Sequence, residues 1–379
     1  MRRANLSTVL ARVHHGGAVS RAQLTAETGL NRSTVAALVG ELAALGLVVE
    51  TQPAATNRVG RPSPVVDVAP SPVVIAVNPE VDAVTVAVVG LGARVEHRVR
   101  HTVDQPPTAA AAVRIVARLV DGFPAQTLHD RRVLAVGVAV PGLVAAGEQQ
   151  VRWAPHLGWT DEPLAELMAG ALGLPVTVGN DASLGAVAER LFGAGRGVDD
   201  LVYLNGGASG IGGGVIAGGR LLGGHGGFAG EFGHNRPGVA AAGDRHTDDG
   251  VLEDEVSRSR LLAVVGMDAA DDAVLEQALL TSIDPRVHAE LARQRRILAT
   301  ALSNAVNVLD PELVVLGGFL AAVLASDPAE LESLVESQTV PAAWHDVGLR
   351  PAGLGADLLM IGAAELALAK VLADPASIT

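Results

Sequence analysis

Apolar residues recur at helical spacing in three short segments at the start of the chain, and glycines separate these segments. The pattern predicts one helix over residues 5–15 and a second helix that begins after Ser20 and ends at Gly29. Asn31 or Ser33 is the expected N-cap of a third helix. Two short helices joined by a tight turn are typical of a helix-turn-helix, whose second helix lies in the major groove of DNA.

Two strand-like segments follow, at 47–49 and 65–68, and the loop between them at 51–62 completes the pattern of a β-wing. This loop contains two arginines, and wing arginines can enter the narrow minor groove of A·T-rich DNA. Five residues are therefore expected to contact DNA: Arg32, Ser33, Thr34, Arg58 and Arg61. The alternative is a three-helix module that binds protein and has a solvated, arginine-bearing loop.

After a proline-containing junction at 69–74, strand-like and helical segments alternate to the end of the chain. The predicted strands are 73–77, 84–89, 133–140, 175–179, 201–204, 213–217 and 313–316. The predicted helices are 108–120, 161–172, several within 275–308 and one near 357–373. This alternation indicates an α/β fold, in which a ligand binds where strand ends meet glycine-rich loops. Such loops are expected at 141–142, 180–181, 206–214 and 317–318.

Charge divides the chain into two parts. Residues 1–68 carry seven arginines and four acidic residues, a net charge of +3, whereas the remainder has 21 basic and 37 acidic residues, a net charge of −16. The mildly basic head suits DNA, and the acidic body does not. At 379 residues and 49% hydrophobic residues, the chain is expected to form two or three packed units. It contains no cysteine, which excludes disulfides and zinc-cysteine sites.

The first residues are basic but lack an apolar stretch long enough for a secretory signal, and they contain no small-residue cleavage site. The most apolar later run, 73–92, is interrupted by Asn78, Glu80 and Asp82, so it is not a membrane span. We therefore expect a cytoplasmic protein with no membrane partner.

Polar side chains follow the predicted strand at 175–179 and recur further along the chain. Asn180 and Asp181 would present an amide and a carboxylate to vicinal hydroxyls. Glu231 and His234 are three residues apart, on one side of a turn, and Glu253 adds an acceptor. Buried carboxylates without a cation are costly, so this set beside glycine-rich loops indicates a polar ligand such as a sugar. Taken singly, the aspartate is equally explained as a helix N-cap, and the histidine as a core residue.

Residues 72–370 resemble the ROK family of repressors, open reading frames and sugar kinases. The resemblance runs through VGVAVPGLV (136–144), GNDASLGAVAERLFGAGRG (179–197), GGASGIGGGVIAGGRLL (206–222), GEFGH (230–234) and VVLGG (314–318). It implies a two-lobed actin-like, ribonuclease-H-like fold at 71–379 behind a winged helix-turn-helix at 1–70. Lobe one is expected at about 71–180 plus the C-terminal helix, and lobe two at about 181–354.

By this resemblance, the five polar residues of the predicted cleft fall on the family's sugar contacts: Asn180, Asp181, Glu231, His234 and Glu253. In the family's kinases the position of Asp181 belongs to the catalytic base, which takes the proton of the attacking hydroxyl. The winged helix resembles the family's regulators, which include the xylose and N-acetylglucosamine repressors.

The sequence departs from the family's kinases where they bind ATP phosphates through Asp-x-Gly-Gly-Thr. Asn78 stands in place of the Asp, and Pro79, Glu80 and Val81 replace the residues that let the backbone approach phosphate. Proline has no N–H to donate, and a glutamate repels an anion. ATP binding by the family's route is therefore not expected. The glycines at 210–214 and 317–318 are interpreted mainly as structural.

A second departure concerns zinc, which the family holds with a histidine and three cysteines. The resemblance places Asp244, His246 and Val251 at the cysteine positions. A three-ligand site of His234, Asp244 and His246 is conceivable, because Asp and His bind zinc, but loss of the metal with the loop held by other contacts is favoured. No cofactor is expected to be required.

These observations predict a sugar-responsive transcription regulator, most simply a repressor released from operator DNA by a sugar, and a homodimer or homotetramer without enzymatic activity. One alternative is a ROK-type sugar kinase with an appended DNA-binding head, which the retained Asp181 favours. Another is a body that has lost its small ligand and docks a protein partner.

Overall fold

The computed structural model describes residues 1–52, 63–145, 147, 149–239, 242–247 and 250–378. The predicted wing residues Arg58 and Arg61 lie outside the described residues. No helix in the described part of the chain is long and apolar enough to cross a membrane.

The head forms the predicted winged helix, with three helices and a three-stranded antiparallel sheet in the order β1-β3-β2. Its elements are α1 (Arg2–Gly16), β1 (Val19–Ser20), α2 (Arg21–Thr28), α3 (Arg32–Ala44), β2 (Val48–Thr51) and β3 (Val65–Val68). A capping box between Ser20 and Gln23 starts α2, and Gly29 ends it in the left-handed conformation. Asn31, rather than Ser33, caps α3 by accepting the Thr34 N–H.

The first half of the body is built on a mixed five-stranded sheet in the order β11-β7-β4-β5-β6, beside a small sheet of β8, β9 and β10. The strands are β4 (Pro72–Pro79), β5 (Ala83–Gly90), β6 (Arg94–Thr102), β7 (Arg132–Val140), β8 (Leu143–Val144), β9 (Val151–Ala154), β10 (Trp159–Glu162) and β11 (Val176–Asn180). The central strands β4 and β5 are buried along their whole length, which explains their continuous apolar sequence.

The second half repeats this topology in a sheet of order β14-β13-β12-β15-β16. Its strands are β12 (Leu201–Gly207), β13 (Gly210–Ala217), β14 (Arg220–Leu221), β15 (Leu313–Gly318) and β16 (Gly348–Pro351). In both sheets three antiparallel strands are followed by two strands parallel to the first. Two copies of this order are the arrangement expected for the actin-like, ribonuclease-H-like fold.

Helices cover the sheets and connect them. They are α4 (Ala109–Asp121), α5 (Ala125–Leu128), α6 (Leu164–Leu172), α7 (Asp181–Phe192), α8 (Leu252–Glu255), α9 (Arg258–Val264), α10 (Asp272–Thr281), α11 (Pro285–Leu309), α12 (Phe319–Ser326), α13 (Pro328–Gln338), α14 (Pro341–Trp344) and α15 (Leu358–Ala373). Helix α7 packs on β13 of the second sheet and on α15, while α15 packs on β7 and β4 of the first. These two helices therefore join the halves of the body.

The structure corrects two expectations of the sequence analysis. The glycine-rich segment 206–214 is not a long loop, since it forms the ends of β12 and β13 with only Ala208 and Ser209 at the turn. The helix predicted from residue 161 begins at Leu164, because Trp159–Glu162 is a strand. The strand β6, which was not predicted, lies at the edge of its sheet and alternates half-buried residues with exposed charged ones.

Candidate functional site

A cleft of about 190 Å³ lies where the two halves of the body meet. Its walls come from the β4–β5 hairpin, the β7–β8 and β9–β10 connections, the start of α7, the β12–β13 turn, and the residues Glu231, His234 and Glu253. The volume lies below the ~300–1,000 Å³ typical of pockets for drug-sized molecules, so it suits a small ligand.

The five residues predicted to bind sugar come together around this cleft: Asn180, Asp181, Glu231, His234 and Glu253. They belong to the end of β11, the start of α7, a 3₁₀ turn with the residue before it, and α8, so only the tertiary fold brings them close. The described lining residues include no lysine or arginine. A wall with several carboxylates and no such cation is suited to a neutral ligand rich in hydroxyl donors.

Asn180 starts α7 and ties it to the neighbouring loop. Its Oδ1 accepts the Ser183 N–H at 2.8 Å, and its Nδ2 donates to the Gly142 carbonyl at 3.1 Å and to Asp181 Oδ1 at 3.3 Å. The N-cap role that the sequence left open for Asp181 therefore belongs to Asn180. The amide N–H groups are both used, and one lone pair on Oδ1 remains for a ligand.

Asp181 is the first residue of α7 and lies half-buried in the cleft wall. Its Oδ1 accepts the Ala182 N–H at 2.8 Å, and no described residue donates to its Oδ2. Burial raises the pKa of Asp181 to about 7, and the negative charges of Glu80 and Glu231 act in the same direction, against the Ala182 hydrogen bond. The structure thus provides a carboxyl group that titrates near neutrality and has a free oxygen in the cleft.

Two glutamates form the opposite wall. Glu253 Oε2 accepts the Ile211 N–H at 3.0 Å, which fixes its side chain against β13. Glycine is required at 210, where φ is +119°, and at 233, where a Cβ would lie 2.1 Å from the Ile211 carbonyl oxygen. Burial raises the pKa of Glu231, with Glu253 also raising it and His234 lowering it. The second wall therefore adds two more acceptors, one of them anchored to the sheet.

Three further lining residues were not assigned to sugar binding from the sequence: Glu80, Trp153 and His156. The Trp153 ring is exposed, and its centroid lies 6.4 Å from that of His234. Trp153 and His156 were not found from the sequence, because the small β8–β10 sheet that presents the tryptophan was not predicted. From the sequence, Glu80 is expected only to disfavour the binding of phosphate.

The described part of the predicted DNA-binding surface is the start of α3. Arg32 and Ser33 are exposed there and Thr34 is half-buried. The Ser33 hydroxyl donates to Asn31 Oδ1 at 2.7 Å, so it stiffens the cap, and the Arg32 guanidinium makes no ion pair with any described residue.

The "ROK family" sequence model matches residues 74–370. The chain belongs to the ROK family. A putative xylose repressor from Caldicellulosiruptor sp. is 26% identical over 391 residues, covering 94% of this chain and 93% of that protein. A glucokinase from Streptomyces coelicolor is 40% identical over 136 residues, only 36% of this chain and 41% of the enzyme.

A solved ROK family transcriptional regulator, described as a homologue of the E. coli MLC protein, has the same fold. It superimposes with a TM-score of 0.77 at 24% identity, covering 98% of this chain and 97% of that one. The match therefore includes the winged helix as well as the body, and it confirms the predicted fold class.

The position at which ROK kinases were expected to bind phosphate is a tight hairpin in this member. Pro79 has no N–H, and the Glu80 N–H donates to the Ala83 carbonyl at 2.7 Å. The Asn78 side chain is buried and donates to the Ala139 carbonyl at 2.9 Å. Burial raises the pKa of Glu80 to about 7, with Asp82 raising it and Arg100 lowering it. At this position Pro79 therefore has no donor for phosphate, and the Glu80 N–H and the Asn78 amide already donate to carbonyls.

The glycines at 212, 214 and 318 have packing roles. A Cβ at Gly212 or Gly214 would lie 2.7 Å or 2.6 Å from the Cβ atoms of alanines in α7, so these glycines let the helix approach β13. Gly318 has a φ of +57°, and a Cβ there would lie 2.0 Å from the Gly206 carbonyl oxygen. These contacts support the structural interpretation made from the sequence.

The three conceivable zinc ligands do not form a metal-binding cluster among the described residues. The Asp244 carboxylate instead receives two hydrogen bonds of 2.7 Å from Arg296. The loop of His246 and Thr247 is held by Glu255, which accepts both backbone N–H groups. A buried ion pair between Glu255 and Arg293 completes the arrangement, and Arg293 also donates to the Asp244 carbonyl. Side-chain contacts thus fix the loop that zinc fixes in the family's usual pattern.

Asp181→Asn is expected to stabilise the ligand-free protein at pH 8 by about 1–3 kcal/mol but to change it little at pH 4. The folded pKa of about 7 lies above the ordinary aspartate pKa of 3.8, so the stability that Asp181 contributes is present below about pH 4 and is lost as the pH rises through 7. Melting temperatures of both proteins from pH 4 to pH 8 test this, with the exposed Asp346→Asn as control. An equal effect of Asp181→Asn at both ends of the range would contradict it.

Proposed function

We propose that this chain is a sugar-responsive transcriptional repressor, in which the winged helix binds operator DNA and a monosaccharide in the body's cleft releases it. The observation that carries the proposal is the cleft itself, whose walls offer Asp181, Glu231 and Glu253 as acceptors, with no lysine or arginine among the lining residues that the structure describes. A head of helix-turn-helix geometry on the same chain supports a transcriptional output. Similarity to a putative xylose repressor over both parts points the same way.

Within this proposal, Asp181, Glu231 and Glu253 accept hydroxyl hydrogens of the sugar, Asn180 offers its remaining lone pair and His234 closes the exposed side. Pentoses are the first candidates, because relatives matched over nearly their whole length are named xylose repressors. Dimers of such heads read two half-sites about one helical turn apart, so we propose a homodimer on a pseudo-palindromic operator.

The DNA surface of this proposal comprises Arg32, Ser33 and Thr34 together with Arg58 and Arg61. The double change Arg58→Ala and Arg61→Ala is expected to weaken operator binding by about 10- to 100-fold and to reduce the salt dependence of binding by roughly two phosphate contacts. Fluorescence anisotropy with labelled operator over a salt series measures both. Sugar binding should not change, and unaltered DNA affinity would remove the wing from the interface.

A sugar kinase is the second candidate, and the geometry of Asp181 favours it. A carboxyl group with a pKa near neutrality is suited to act as a general base, and part of the chain is similar to a glucokinase. The β4–β5 hairpin weighs against it, because Pro79 and Glu80 offer no donor to phosphate and a negative charge faces the cleft. We therefore propose that the chain has no kinase activity.

A thermal-shift screen separates these candidates. The full chain is heated with D-xylose, D-glucose, N-acetylglucosamine and ATP with Mg²⁺, because a ligand selective for the native state raises the melting temperature. A rise with one sugar and none with ATP supports the repressor, provided that the same sugar also lowers affinity for operator DNA. A rise with ATP accompanied by sugar-dependent ATP consumption would replace the proposal with the kinase. No response to any compound would favour a body that docks a protein partner.

A further inference from the structure

The head is held against the body by a buried polar cluster. His14 of α1 and Glu365 of α15 are both buried, and His14 Nε2 lies 2.6 Å from one oxygen of that carboxylate. His15 Nε2 lies 3.1 Å from the other oxygen. Around this cluster, apolar residues of α1 and α3 share one continuous core with those of β4, β5 and α15. The head and the C-terminal helix therefore pack as one unit.

The hydrogen bonds assign the protons in this cluster. The Gly92 N–H donates to His14 Nδ1 at 2.8 Å, so Nδ1 carries no proton, and the proton on Nε2 points to Glu365. A metal bound at Nε2 of a neutral histidine would require the proton on Nδ1, directly facing the Gly92 N–H. His14, His15 and Glu365 are close enough to hold an ion. Because the Gly92 N–H occupies His14 Nδ1, however, we interpret the cluster as a hydrogen-bonded joint between the head and the body.

The carboxylate of this joint stays ionised. Burial acts to raise the pKa of Glu365, but hydrogen bonds from His14 and His15 hold it down at about 2. A buried, ionised carboxylate that depends on two head residues is costly to separate from them, because separation leaves the charge without partners. Any movement of α15 is therefore opposed unless the head moves with it.

Two helices lead from the cleft to this joint. Helix α7 begins with Asp181 in the cleft wall and ends about 16 Å further on at Phe192. The Phe192 ring meets the rings of His14 and His15 edge to face, with centroids 5.7 Å and 5.6 Å apart. Helix α15 lines the cleft with Leu359 and presents Glu365 less than two turns later. Phe192 and Glu365, which contact the two histidines from the body, thus lie on helices that begin at the ligand site.

Close packing makes these helices a single body. A Cβ at Gly362 of α15 would lie 2.6 Å from the Leu184 carbonyl oxygen of α7. A Cβ at Gly137 of β7 would lie 1.8 Å from the Ala363 carbonyl oxygen. Surfaces in such contact do not slide past each other without repacking, so a displacement at one end is transmitted to the other.

We propose that the joint of His14, His15, Phe192 and Glu365 couples the state of the cleft to the position of the DNA-binding head. This inference rests on the proposed function, because it names the regulation of that same cleft. A sugar that shifts the start of α7 or α15 moves the joint, and the winged helix follows. By the reciprocity of coupled equilibria, a change in the joint also alters the cleft.

Glu365→Gln tests the proposal in the full-length protein, since it keeps the shape of the side chain and removes its charge. Arg3→Ala is the matched control, because Arg3 also lies on α1 and also contacts the C-terminal region, through an exposed ion pair with Asp374 at 3.2 Å. Circular dichroism and melting temperature establish that both variants fold. The DNA probe is a duplex selected from random oligonucleotides by the wild-type protein, and the sugar probe is D-xylose.

The first measurement is the ratio of DNA affinities without and with D-xylose. Glu365→Gln is expected to reduce this ratio by about tenfold, whereas Arg3→Ala leaves it unchanged. Provided that D-xylose changes the DNA affinity of the wild type, an equal ratio in Glu365→Gln would overturn the proposal. Stabilisation of the wild type by Zn²⁺, lost in Glu365→Gln, would also overturn it in favour of a metal site.

The second measurement needs no sugar. Hydrogen exchange of the Ala182 and Ser183 amides at the start of α7 is expected to become faster in Glu365→Gln than in the wild type or Arg3→Ala. Unchanged exchange overturns the joint whatever D-xylose does. Faster exchange in a wild-type background that shows no response to sugar would support the joint and reject the proposed function, so the two failures are distinguishable.

Discussion

Asp181→Ala is expected to lower sugar affinity by about 100-fold, or about 3 kcal/mol, and to leave the protein bound to its operator when sugar is added. The variant removes a carboxylate that has an oxygen free in the cleft, while Asn180 continues to cap α7. Isothermal titration with the sugar identified by thermal shift gives the affinity, and anisotropy with operator DNA gives the release.

The control for this variant is Asp346→Ala, which removes a carboxylate exposed far from the lining of the cleft. DNA affinity without sugar should match the wild type in both variants, which separates loss of sensing from loss of folding. The melting temperature of Asp181→Ala at pH 8 should not fall, because an aspartate with a pKa of about 7 is costly when ionised. An Asp181→Ala protein that still releases DNA at the wild-type sugar concentration would place the binding site elsewhere.

Glu255→Gln is expected to destabilise the protein by about 3 kcal/mol at pH 7, while a chelator leaves the wild-type melting temperature unchanged. Glu255 and Arg293 are a buried ion pair that holds the backbone of His246 and Thr247. Burial raises the pKa of Glu255, but hydrogen bonds from these two residues, together with the charge of Arg293, bring it below the ordinary glutamate pKa of 4.5. The stability that the Glu255 carboxylate contributes is present above pH 4.5 and is lost as the pH falls through the lowered pKa of the folded protein.

Thermal unfolding with and without EDTA, at pH 7 and at pH 3, measures these effects. Asp161→Asn is the control, because Asp161 pairs with Arg152 at 2.9 Å and both side chains are exposed, so its loss should cost below about 1 kcal/mol. The difference between Glu255→Gln and the wild type should shrink at the lower pH. A large fall of the wild-type melting temperature in EDTA would contradict the interpretation and restore a metal to this loop.

Elements with local signals were predicted closely. The capping residues Ser20 and Asn31, and the glycine that ends α2, locate the helix-turn-helix, because caps and turns depend on residues a few positions apart. The strand that ends at Asn180 was also predicted from a local pattern, a short run of apolar and β-branched residues. The glycine pattern of 210–214 was misread as a loop, since its small residues serve the approach of α7 in tertiary packing and carry no local mark of a strand.

The sequence by itself determined the winged helix, the alternating α/β body and five polar residues of the cleft lining, because periodicity, caps and family motifs are recorded in short stretches of chain. Only the tertiary structure decided what surrounds those residues. It placed Trp153 beside His234 and paired Glu255 with Arg293. It directed the Glu80 N–H to the Ala83 carbonyl within the β4–β5 hairpin. It also joined His14 to Glu365 across 351 residues. Such contacts are selected by the shape of the packed fold, which no local pattern specifies.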